Sequence, residues 1–249
     1  MAAPLRLYGL KALICNAAGG IGEASARTLV KHGAAVLAVG TLNSGIEQTF
    51  KRVKGVEGLA ANLVDASRMP VLVEEAVKRL GRIDILVNDF PWQVDAPLAN
   101  GDAGLKDLLQ ARSALVLSLC RSALPHLKKS PGGRIINIGF MRSVFAIDGD
   151  EAFAAAEKDL AALTAALATE TGDFGITANY VQPGAIMTPV SREVFRKNKA
   201  LRDFCIARSA AHRLGEPIDV ARVVSFLAGD DAAFVNGTGI TVDGGRQLD

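Results

Sequence analysis

Short apolar runs of four to six residues alternate along the chain with stretches whose apolar positions recur at helical spacing. A short run bounded by turn residues reads as a strand buried on both faces, and a period of about 3.6 as a helix with one buried face. Seven strands are predicted, at Leu10–Cys15, Ala35–Val39, Val56–Ala60, Ile83–Val87, Arg134–Ile138, Thr177–Val181 and Ile240–Val242. Helices fit between them at about Gly20–His32, Ser44–Val53, Ser67–Leu80, Asp102–Lys129, Glu151–Thr171 and Glu216–Leu227. Breakers stand between these elements, at Gly33, Gly55, Gly81, Pro131-Gly132-Gly133, Gly172 and Gly175. Repeated strand–helix–strand units predict an α/β domain with a parallel sheet covered on both faces. One long stretch, Pro183 to Gly215, reads as irregular and would lie over the carboxyl ends of the strands, where such sheets bind ligands.

Composition narrows the function classes. With 249 residues, 49% of them hydrophobic, the chain is expected to form a single domain over residues 1–249. The net charge is +2 without a dense Lys/Arg cluster, which argues against a nucleic-acid partner. No segment approaches the roughly 18 uninterrupted apolar residues of a membrane span, and Met1–Leu10 lacks a leader signature. Cys15, Cys120 and Cys205 are odd in number and far apart, which suits buried thiols in a reducing cytoplasm. Without close Cys/His spacing, no metal site is expected.

Candidate chemistry begins between the first strand and first helix, at Cys15-Asn16-Ala17-Ala18-Gly19-Gly20-Ile21-Gly22. This resembles the Thr-Gly-x-x-x-Gly-x-Gly turn of the short-chain dehydrogenase/reductase family, whose glycines let the backbone approach a pyrophosphate. Leu124-Pro125-His126-Leu127, Gly133-Arg134-Ile135-Ile136-Asn137-Ile138, Asn179 with Pro183-Gly184 and Thr188, Arg213-Leu214-Gly215-Glu216-Pro217 and Val242-Asp243-Gly244-Gly245 fit the same family. The resemblance covers nearly the whole chain and implies a Rossmann-type, doubly wound sheet of seven parallel strands, helices on both faces.

The departures fall at the cofactor and catalytic positions. Gly20 and Gly22 keep two of the three glycines, and the first is Asn16. Gly40-Thr41-Leu42-Asn43, after the second strand, has neither the Asp that would hold the ribose of NAD nor the Arg that would meet the phosphate of NADP. The family's adenine-contacting Asp is Asn62 here, and its Asn-Asn-Ala-Gly turn has become Asn88-Asp89-Phe90-Pro91. A ring and a proline in that turn are expected to leave a poor or blocked pocket. Asn16, Gly20, Gly22, Asn62 and Asn88 are thus expected to be vestiges of a cofactor site.

The resemblance implies a catalytic Asn, Ser, Tyr and Lys at positions that read Arg112, Phe140, Phe153 and Glu157. Proton transfer needs an exchangeable group within hydrogen-bond reach, and a phenylalanine has none. Glu157 reverses the charge that would favour a phenolate. Tyr8 and Tyr180 are the chain's tyrosines and neither is near position 153 in sequence; His32, His126 and His212 read as surface or cap residues. Asp148, Asp150 and Glu151 read as the acidic first turn of a helix, and Ser143 is displaced by three residues from the Ser position. The two phenylalanines are expected to fill a vacated cleft, and Arg112 and Glu157 to form an ion pair across two helices.

Three readings follow. In the first, the chain is a non-catalytic subunit supporting a paralogous, competent short-chain dehydrogenase subunit that binds NAD and oxidises a hydroxyacyl substrate. That arrangement is similar to the two-subunit β-hydroxyacyl-CoA dehydrogenase of benzylsuccinate (toluene) breakdown. By resemblance the partners would pair through the helices around 102–129 and 151–171 into a heterotetramer. The second reading is an NAD(P)-dependent oxidoreductase with displaced catalytic groups, and the third a stand-alone ligand-binding or regulatory protein.

Overall fold

The computed structural model describes residues 6–90, 101–139 and 150–245, with the side chains of 101–109 and 150–156 outside the description. Seven parallel strands form one sheet: β1 (Lys11–Ile14), β2 (Ala35–Gly40), β3 (Val56–Ala60), β4 (Ile85–Asn88), β5 (Arg134–Ile138), β6 (Thr177–Pro183) and β7 (Gly239–Val242). Their order is β3-β2-β1-β4-β5-β6-β7, so the chain winds one way from β1 and then the other from β4. The crevice outside the carboxyl ends of β1 and β4 is the topological switch point, where open α/β sheets hold ligands.

Strand residues alternate between two apolar cores, as the period of two requires. Leu13, Leu37, Leu86 and Ile135 belong to one core, with α3 (Met69–Leu80), α4 (Gly101–Leu127) and α5 (Asp150–Thr171) over it. Ile14, Val36, Val87 and Ile136 belong to the other, covered by α1 (Gly20–Lys31) and α8 (Pro217–Ala228). A further short helix, α2 (Ile46–Phe50), packs beside β3 and buries Ile46 and Phe50. At the amino ends, buried Asp84 ties the base of the sheet together, accepting from the Lys11 amide at 2.8 Å and from the Ser130 hydroxyl at 2.7 Å.

The expected α/β domain is therefore the observed one, but Pro183–Gly215 is not irregular throughout. It contains α6 (Pro189–Lys197) and α7 (Lys199–Ala207). Thr188 and Ser191 form a reciprocal capping box, Pro189 opens the first turn, and the Asn198 side chain accepts from the Leu201 amide at 2.9 Å to start α7. These caps were readable in the sequence, yet each helix is only nine residues long, too short for periodicity to stand out.

Candidate functional site

At the head of the crevice, the turn from β1 to α1 is pinned from both neighbouring strands. The Cys15 amide donates to Val87 O at 3.0 Å and the Ala17 amide to Val39 O at 2.8 Å. Asn16 follows with φ of 53°, in the left-handed region that Asn visits more readily than most residues, so it does keep the backbone path of a glycine. Gly22 is required for a different reason: a Cβ there would lie 2.5 Å from the Asn16 carbonyl oxygen. The helix that starts at Gly20 has no side-chain cap, and Pro189 and Thr188 at the start of α6 lie against Gly19 and Gly20.

Asn88 and Asp89 close β4 from opposite sides. Asn88 is fully buried and donates to Asn137 Oδ1 at 2.7 Å and to Cys120 Sγ at 3.2 Å, while Asn137 Nδ2 donates to Thr164 Oγ1 at 3.0 Å. This neutral chain links β4, β5, α4 and α5. It makes Asn88 an internal structural group. Asp89 is half-buried and its carboxyl is pushed up to about 6, chiefly by desolvation, against the opposing pull of Arg112, the Gly22 amide and the Asn16 side chain. Arg112, half-buried on α4, donates from Nη2 to Ile138 O at 2.9 Å; burial lowers its pKa and Asp89 offsets part of that. Its described partners are Ile138 and Asp89. The ion pair with Glu157 expected from the sequence is not among the described contacts.

Phe90 points into the core. Its ring is 1% exposed and belongs to the core under α3 and α4, with Leu63, Leu115 and Leu119, rather than standing in an open cleft. Pro91 lies outside the described residues. Asn62 is exposed and turns its side chain onto the Val64 amide at 3.0 Å. After β2, the space beside Gly40 is taken by Ser44, Ile46 and Ala18.

Of the catalytic positions, Phe140, Asp148 and Ser143 lie outside the described residues, as do the side chains of Asp150, Glu151 and Phe153, though residues 150–153 are in α5. Glu157 is half-buried on α5 and lines a cavity of about 350 Å³ with Ala161, Tyr180, Gln182, Thr241 and Asp243. The Tyr180 ring lies against the backbone of Gly239 in β7, and Tyr8 is 80% exposed. His32 closes α1 and pairs with Ser225 Oγ at 2.6 Å; His126 is partly buried near Glu74, and His212 is exposed in a turn. Cys15 and Cys120 are buried as expected, whereas Cys205 on amphipathic α7 is only half-buried. Among the described residues, no group of three His, Cys, Asp or Glu side chains is placed to hold a metal, and no helix is long and apolar enough to cross a membrane.

The residue that sequence reasoning passed over is Asp89, noted as part of a turn and not as a charge. The available signal was that two family asparagine positions, 89 and 112, carry opposite charges here. A protein-family model described as enoyl-(acyl carrier protein) reductase matches residues 17–247. The 3-oxoacyl-(acyl-carrier-protein) reductase FabG of Haemophilus influenzae is 34% identical over 245 residues, 97% of this chain and all of that protein. Those of Pseudomonas aeruginosa, at 34%, and Escherichia coli, at 32%, each align with 98% of this chain along their whole length. With such a match spanning the glycine turn, the sheet and the carboxyl-terminal motifs, the chain belongs to the short-chain dehydrogenase/reductase family of oxidoreductases.

Proposed function

We propose that the chain is a non-catalytic subunit of a heteromeric short-chain dehydrogenase, held with a paralogous subunit that carries the chemistry. The observation that carries this reading is on α5, where positions 153 and 157 present a phenylalanine and a half-buried carboxylate in place of the family's proton donor and its cation. A carboxylate there opposes a phenolate and has no cation to offer a cofactor ribose. Asp89 facing the first turn of α1 works in the same direction, since a second anion at that place would be repelled. On this reading the chain holds no dinucleotide and NAD belongs to the partner.

The relatives are named as 3-oxoacyl-(acyl-carrier-protein) reductases, which supports a hydroxyacyl or oxoacyl substrate for the competent subunit, as in the two-subunit benzylsuccinate-pathway enzyme. Exposed Ala114 on α4 and Ala162, Ala165 and Ala166 on α5 allow close helix approach, so a heterotetramer through these helices, in the cytoplasm, completes the proposal. Native mass spectrometry of the protein from its own host tests it: a second chain of similar size should co-purify. A pure homo-oligomer that reduces ketones with NADPH would overturn it.

The second reading, an oxidoreductase with displaced groups, has one observation in its favour. Burial pushes the Asp89 carboxyl up to about 6, closer to the range of a general acid or base than an ordinary aspartate. Its partners among the described residues, however, are Asn16, Gly22 and Arg112.

A further inference from the structure

Strand register places Asp89 independently of its titration. Ile14 pairs with Val87, so two residues further on Asn16 lies beside Asp89. Asn88 pairs with Asn137, so one residue further on Asp89 lies beside Ile138, whose carbonyl receives Arg112 Nη2 at 2.9 Å. The guanidinium thus arrives from α4 at the carboxylate's own level, over the ends of β4 and β5. Both positions are asparagine in the family pattern, and here they carry one charge of each sign.

We propose that Asp89 and Arg112 are a matched internal charge pair that occupies the head of the β1–β4 crevice in place of an external anionic ligand. The carboxylate stands where a ligand's anion would meet the first turn of α1, and the guanidinium is its counter-ion. They act on each other through space rather than through a direct salt bridge among the described ion pairs. A half-buried charge is tolerated when its counter-ion is present and is costly when it is stranded. This inference rests on the reading that the chain itself holds no dinucleotide.

The test is a double-mutant cycle of the full chain, with Asp89→Asn, Arg112→Asn and the double variant unfolded in urea at pH 8, each also titrated with inorganic pyrophosphate and with NADH. Arg112→Asn should raise the unfolding equilibrium constant about fivefold more when residue 89 is Asp than when it is Asn. Asp89→Asn, which leaves Arg112 facing the α1 turn without its anion, should bind pyrophosphate about tenfold more tightly than wild type. If Arg112→Asn alone does not fold, folding of the double variant is the same evidence of coupling, and failure of both overturns the pair. Additive losses, or pyrophosphate affinity unchanged in Asp89→Asn, also overturn it. NADH saturating the wild type with coupling intact defeats the dinucleotide-free reading and ligand replacement, whereas additive losses without NADH binding defeat the charge pair alone.

Discussion

Asn88 and Asp89 are consecutive, end the same strand, and were turned by the sheet to opposite fates. Asn88 enters the α4–α5 side as a neutral amide, fully buried and joined to Asn137 and Cys120. Asp89 turns to the α1 side, at the crevice, where it is half-buried and opposed by Arg112. A neutral hydrogen-bonded group can be sealed in a dry interior at little net cost, but a carboxylate there needs a counter-ion. The difference teaches that one strand end can seal a neutral amide chain on one face of the sheet and gather charge on the other.

The largest expected effect breaks the neutral side of that comparison. Asn137→Leu should cost about 3 kcal/mol in urea unfolding, because it leaves the Asn88 amide and the Thr164 hydroxyl buried without Asn137 as partner. The charged side is tested next, by pH. The folded-state pKa of Asp89, about 6, exceeds its ordinary 3.8, so the stability of its protonated form is fully present below about pH 4 and lost as pH rises through 6. Wild type should therefore lose, relative to Asp89→Asn, on the order of 2–3 kcal/mol across that window. Thermal or urea melts of the two proteins at a series of pH values check it; parallel curves would contradict the burial assigned to Asp89.

Two smaller substitutions sharpen the picture of the turn they share. Gly22→Ala should lose about 1–2 kcal/mol in a melting experiment, since its Cβ would press on the Asn16 carbonyl and move backbone rather than a flexible side chain. Asn16→Gly relieves a left-handed position but removes the side-chain hydrogen bond to Asp89, so the two effects should nearly offset and leave stability within about 1 kcal/mol of wild type in the same melts.

The fold was largely legible because its signals are local and repeated. Runs such as Ala35–Val39 and Arg134–Ile138 announce buried strands, and Gly81 and Gly175 end elements where positive φ is needed. The α6–α7 segment was missed because its helices are short and lie in a region rich in turn residues. At the site, the phenylalanines at 140 and 153 were legible residue by residue against the family resemblance. The direction of Phe90 was not, because which face a residue beyond a strand end chooses depends on the neighbours that receive it, here Leu63 and Leu115.

Composition, periodicity and turn residues alone determined an α/β domain and its glycine turn, and the family resemblance pointed to phenylalanines at 140 and 153. Only the tertiary structure decided that Arg112 answers Asp89, twenty-three positions away. The physical reason is that apolar pattern and turn chemistry act between near neighbours in the chain, whereas desolvation and charge depend on distances that exist only once β4, α1 and α4 have met.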